Sequence, residues 1–130
     1  LTMVGSDGLP VDPLPHPRLW GAFPRVLGHY SRDLKLFSLP EAIRKMTRMS
    51  ADRFGLDDRG RIVVGAAADL VLFDPLKVKD AATFSQPQRL AEGIEAVWVN
   101  GVLSYTQKTL TGVRAGKFLE RQRDLRIGFY

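Results

Sequence analysis

A single carboxylate, Asp7, sits in Gly5-Ser6-Asp7-Gly8, directly after a short apolar run, Leu1 to Val4. The run reads as the end of a buried strand, and the two glycines permit a sharp turn at its tip. An acidic group at a strand tip, followed by a loop and a helix, is where α/β enzymes hold groups that carry protons. Ser-Asp-Gly is also a common turn tripeptide, so on residue types alone a plain turn stands beside the chemical reading. The next stretch holds Pro10, Pro13, Pro15 and Pro17, which fix φ and forbid a helix there. It predicts an extended, stiff loop carrying Asp12, His16 and Arg18. Such a loop suits holding side chains over a site, and equally serves as a linker.

The elements that must position these groups follow. A helix is expected from about Phe23 to Arg32, with Pro24 in its first turn. Ser38-Leu-Pro-Glu41 has the form of a capping box with proline in the first turn. Leu39, Ala42, Ile43 and Met46 then recur three or four apart, predicting a helix to about Met49 with one apolar face. A short turn from Ala51 to Phe54 is expected to stop at Gly55. From Leu56 the pattern changes to short strands and tight turns. Strands are expected at Arg61 to Val64, Ala68 to Asp74, Ile94 to Asn100 and Val102 to Thr106. Asn100-Gly101 is the strongest hairpin signal in the chain. Helical turns are expected near Asp80 to Phe84 and Gly116 to Arg121. Residues 1–55 thus read as the end of an α/β unit and residues 56–110 as an all-β module. Residues 111–130 read as a basic tail. The β module is too small to complete a large core and predicts partner strands from elsewhere.

A hydrophobic content of 45% with 25% charged residues describes a globular chain, and no apolar run is long enough to cross a bilayer. The chain opens on Leu1 inside a predicted strand, which reads as a fragment of a longer protein. With no cysteine it holds neither a disulfide nor a thiolate metal site, which fits a reducing, cytoplasmic setting. The net charge is +5, but the basic residues are scattered except between Arg114 and Arg126. A solvated face accounts for them, and no nucleic-acid motif accompanies the charge, so neither nucleic acid nor a membrane is expected as a partner.

Ser6-Asp7-Gly8, His16-Pro-Arg-Leu-Trp-Gly21 and Phe23-Pro-Arg-Val-Leu-Gly-His-Tyr30 closely resemble the N-acyl-D-amino-acid deacylases, or D-aminoacylases, a branch of the amidohydrolase superfamily. Glu41 to Thr47, Gly55-Leu56, Arg59-Gly60, Gly65, Ala68 to Asp74 and Val97 to Gly101 resemble the C-terminal end shared across that superfamily. The resemblance implies the last strand and helices of a metal-dependent (β/α)8 barrel followed by part of a small β-sandwich. Leu1 to Val4 would be the eighth barrel strand, with Asp7 at its tip. Members of the family hydrolyse an N-acyl-D-amino acid to a D-amino acid and a carboxylate, with a zinc ion polarising the scissile carbonyl.

Asp7 matches the family's acid/base aspartate, which passes a proton from water to the leaving amine, and the resemblance implies at most a secondary contact of Asp7 to the metal, whose main ligands lie elsewhere. Arg18 matches the arginine that grips the substrate α-carboxylate, a bidentate task that lysine cannot reproduce. Ser6 and Gly8 are assigned with it to substrate binding. His16 and His29 are expected to be packing residues, Asp69 and Asp74 turn and edge residues, Trp98 and Phe73 core, and Trp20 part of the barrel mouth. The zinc ligands expected from earlier strands are absent, since two histidines and no cysteine cannot build that site. The chain is therefore expected to be inactive unless joined to its missing N-terminal part. Two other readings stand beside this one. The shared C-terminal motifs allow a dihydropyrimidinase-like or imidazolonepropionase-like enzyme, and the basic tail allows a non-catalytic binding module.

Overall fold

A computed structural model describes residues 2–106 and 108–120. Helix α1 spans Arg18–Arg25 and runs straight into a π-helical segment, Val26–Asp33. The helix therefore starts five residues before the expected Phe23, with Pro24 inside it rather than in its first turn. Pro17, at the N-cap, opens the helix, and the Trp20 and Gly21 N–H groups donate back to its carbonyl. Pro24 has no N–H to give the turn behind it, and the wider π spacing follows at once. The Leu34 N–H, bonded to the His29 carbonyl at 2.9 Å, closes that segment.

Helix α2 spans Leu39–Met46, and the Ser38 side chain accepts from the Glu41 N–H at 3.3 Å. Only half of the capping box forms, because the Glu41 carboxylate turns to Arg44, whose Nε donates at 2.7 Å. The single helix expected to reach Met49 breaks at Thr47, whose hydroxyl bonds the Ile43 carbonyl, and resumes as α3, Arg48–Phe54. Gly55 ends α3 in the left-handed conformation expected for it.

One antiparallel sheet in the order β1-β2-β3-β4 follows, from Leu70–Phe73, Ile94–Val99, Val102–Thr106 and Thr109–Leu110. The Asn100-Gly101 turn joins β2 to β3 with both residues at positive φ, 49° and 81°, the geometry that twists a two-residue hairpin correctly. Two expected strands do not form among the described residues. The stretch before Gly5 and the stretch from Arg61 to Val64 belong to no ladder, and the second is bend and turn at its two ends. Ile62 and Val64 are instead fully open to solvent. A strand exists only through a partner's N–H and C=O groups, and no described segment offers them here. The helical turn expected at Asp80 to Phe84 does not form either, and residues 116–120 carry no helix. Leu1, Arg121 and the rest of the expected tail lie outside the described residues.

The core is small. Val26, Leu27, Ala42 and Val78 are buried together, with Val4, Tyr30, Phe37, Leu39, Met46, Phe73 and Ile94 packed around them. It draws on both the helical and the sheet halves. Gly28 makes this junction possible, because a Cβ there would strike the Val78 carbonyl oxygen. Much apolar surface stays open, including Val71, Leu72, Phe84 and Leu110. A face of that kind normally meets another surface.

Candidate active site

The Asp7 segment is tied to the helical layer at its N-terminal side. The Val4 N–H donates to the Lys45 carbonyl at 3.3 Å, and Lys45 Nζ donates to the Thr2 carbonyl at 3.0 Å. Beyond the tie the backbone turns sharply at Asp7, whose φ is 49°. Aspartate tolerates this left-handed region better than most side chains, at some cost. The Gly8 N–H donates to Ser6 Oγ at 3.3 Å and closes the turn. Gly8 lies directly under Leu19, where a Cβ would come within 2.8 Å of the Leu19 Cα. The turn and the start of α1 are thereby pressed together.

That contact brings Arg18 onto Asp7. Arg18 Nε donates to the Asp7 main-chain carbonyl at 2.8 Å, and its Nη2 lies 2.9 Å from Asp7 Oδ2. The Asp7 side chain is 81% exposed and that of Arg18 40% exposed, so both face open space. His16 supports the arginine from behind. Its Nδ1 accepts the Arg18 N–H at 3.0 Å, and its ring meets Phe84 edge-on at 5.0 Å. Pro15 is buried beside it, which anchors the loop. His29 is half-buried against Tyr30 and stands apart from this group. Ser6, Asp7, Gly8 and Arg18 therefore form one cluster. It offers an accessible carboxylate able to exchange a proton and a guanidinium able to bind an anion.

Among the described residues no group of three or more His, Cys, Asp or Glu side chains could hold a metal ion. Asp7 contributes one carboxylate and no second donor beside it, so the residues present do not suffice for a zinc site. No helix among the described residues is long and apolar enough to cross a membrane.

A second polar group was not foreseen from the sequence. Arg59 is buried, its Nη1 donates to Asp69 Oδ2, and its Nη2 donates to Asn100 Oδ1 at 2.7 Å. Asp69 Oδ1 accepts the Asn100 N–H at 2.7 Å, and Asn100 Nδ2 donates to the Ala115 carbonyl at 2.7 Å. Burial pushes the Asp69 carboxyl up, but the Asn100 N–H and the Arg59 guanidinium outweigh it and hold the group below the usual aspartate range. This network staples the β2–β3 hairpin to the turn before β1. Its residues lie far apart in sequence, and no local pattern announces it. A concavity of about 740 Å³, bordered by Arg32, Lys77, Lys79 and Arg89, shares no residue with the Asp7 cluster. Three of its cations are already paired, Arg32 with Asp33 at 2.8 Å, and Lys77 with Asp74 and Lys79 with Glu92, each at 3.1 Å.

The chain is similar to several known proteins. A D-aminoacylase from Alcaligenes xylosoxydans xylosoxydans is 57% identical over 120 residues, which cover 92% of this chain and 25% of that protein. A crystal structure of D-aminoacylase superposes with a TM-score of 0.87 at 57% identity, covering 88% of this chain and 24% of that one. An N-acyl-D-glutamate deacylase from Bordetella bronchiseptica, complexed with zinc and a phosphonate inhibitor that mimics the tetrahedral intermediate, superposes with a TM-score of 0.79. It is 50% identical, and the match covers 82% of this chain and 23% of that one. The chain spans about a quarter of the length of the relatives it matches. A sequence profile described as "Amidohydrolase family" matches residues 1–105 of the 130. With that match over most of its length, the chain belongs to the amidohydrolase family.

Proposed function

We propose that this chain is the C-terminal part of a zinc-dependent hydrolase that cleaves the amide bond of N-acyl-D-amino acids. The observation that carries the reading is the ion pair between Asp7 and Arg18, 2.9 Å apart and open to a reactant. Likeness to D-aminoacylase and to N-acyl-D-glutamate deacylase supports the substrate class. In this reading residues 1–55 end a (β/α)8 barrel, residues 56–110 form the C-terminal part of a β-sandwich, and residues 111–130 are a basic tail. The exposed apolar residues of the unpaired stretches, Ile62 and Val64 among them, fit strands that wait for partners. The remaining part of the same enzyme is the partner that would supply them, along with the zinc ligands. A cytoplasmic setting accords with the cysteine-free composition.

Within this chain the reading assigns two roles. Asp7 accepts the proton of the attacking water and returns it to the leaving nitrogen. The carboxylate suits both halves of that transfer, and its exposure gives both atoms access. Arg18 grips the substrate α-carboxylate, with Ser6 and Gly8 shaping the turn beside it. The test is hydrolysis by the full-length protein. N-acyl-D-amino acids are turned over and cyclic amides are not, and the reverse preference would move the protein to another branch of the family. Arg18→Lys raises KM for substrates with a free α-carboxylate and leaves KM for their α-carboxamides unchanged. An equal rise on both would remove the carboxylate contact.

A further inference from the structure

We infer that Arg18 is also a positioning residue for Asp7, a role additional to gripping the substrate and resting on the deacylase reading above. Nε and Nη2 form one edge of the guanidinium plane. That edge is spent on Asp7 alone, with Nε on the main-chain carbonyl at 2.8 Å and Nη2 on Oδ2 at 2.9 Å. One rigid fork thus holds the main chain and the side chain of the same residue. The remaining donors, Nη1 and the second Nη2 proton, have no hydrogen-bond partner among the described residues, and the side chain is 40% exposed, which leaves them available to an anion. A single planar group therefore meets the proton carrier on one side and the substrate carboxylate on the other.

Asp7 requires such an anchor. Its backbone sits at a φ of 49°, a region that side chains rarely adopt, and among the described residues Arg18 is the ion-pair partner of its carboxylate. A proton carrier works only when held close to its productive geometry. As a source of stability an exposed ion pair is worth only about 0–1 kcal/mol. Its effect here is orientation. The anchor is itself fixed, because the Arg18 N–H is bonded to His16 Nδ1, the His16 ring rests on Phe84, and Leu19 presses on Gly8. Each end of the loop is thus locked next to one member of the pair.

The experiment uses the full-length enzyme with an N-acyl-D-amino acid and with its α-carboxamide, which cannot engage an arginine clamp as an anion. If Arg18 only grips substrate, Arg18→Lys leaves kcat on the carboxamide unchanged. If Arg18 positions Asp7, that kcat falls by on the order of 10-fold or more. The same fall appears in kcat at saturating N-acyl-D-amino acid. In an Asp7→Asn background, Arg18→Lys lowers kcat no further, because the group it positions no longer carries a proton. Added guanidinium ion restores part of the turnover of Arg18→Ala. An unchanged carboxamide kcat, or an equal fall in both backgrounds, overturns the inference while leaving the deacylase reading intact. Failure of the unsubstituted protein to hydrolyse either substrate overturns both.

Discussion

Asp7→Asn in the full-length protein lowers kcat on an N-acyl-D-amino acid by at least about 10²-fold, the scale of a lost general acid/base. Asparagine is the informative replacement. It has nearly the same shape, tolerates the left-handed φ of 49° at this position, and keeps an oxygen that accepts from Arg18 Nη2. The capacity to carry a proton is removed, together with the negative charge. Because the side chain is exposed, the substitution changes stability little, about 0–1 kcal/mol. A loss of turnover with an unshifted unfolding midpoint is therefore chemical in origin. Unchanged kcat would take Asp7 out of the reaction and leave the Ser6-Asp7-Gly8 segment a plain turn.

The largest expected effect on stability lies elsewhere. Arg59→Ala lowers the stability of the full-length protein by about 2 kcal/mol, read as a lower urea midpoint at unchanged m-value. The guanidinium is buried and bonded to Asp69 and Asn100, and its loss leaves the hairpin turn without its link to the chain before β1. The Asp69 side chain is 39% exposed, so water softens the penalty relative to a fully buried pair. The same network makes stability depend on pH. Asp69 titrates lower in the folded protein than in the unfolded chain, because the Asn100 N–H and Arg59 outweigh the opposing effect of burial. Its contribution is complete above the ordinary aspartate range near pH 4, and is lost as pH falls through the depressed folded value. Asp69→Asn flattens that acid limb of the stability profile. An identical acid limb in the variant would show that Asp69 does not govern it.

How far the sequence could be read depends on the range of the forces involved. Ser38 as a cap, Gly55 as a stop and Asn100-Gly101 as a hairpin turn are all visible in the one-dimensional string, and all three are found. Each depends on backbone geometry and hydrogen bonds within a few residues. The strands over Leu70–Phe73 and Ile94–Val99 were legible for a similar reason, since their β-branched and aromatic residues favour a pleated surface. Arg61 to Val64 carries the same residue types yet forms no ladder, because pairing needs a neighbour that the described chain does not supply. The break at Thr47 and the early start of α1 also escaped local pattern. At Thr47 a hydroxyl competes with the helix ladder, at α1 a proline opens the helix early, and periodicity registers neither.

The candidate site divides along the same line. Asp7 and Arg18 were identified by residue type and by resemblance to a family, which is information carried along the chain. Their meeting at 2.9 Å, and the burial of Arg59 between Asp69 and Asn100, arise from packing. Leu19 pressing on Gly8 closes a loop of 11 residues, and a hairpin brings Asn100 back over a turn 41 residues earlier. Contacts of that span are selected by the folded chain as a whole, because loop closure must first be offset by the burial of many other groups.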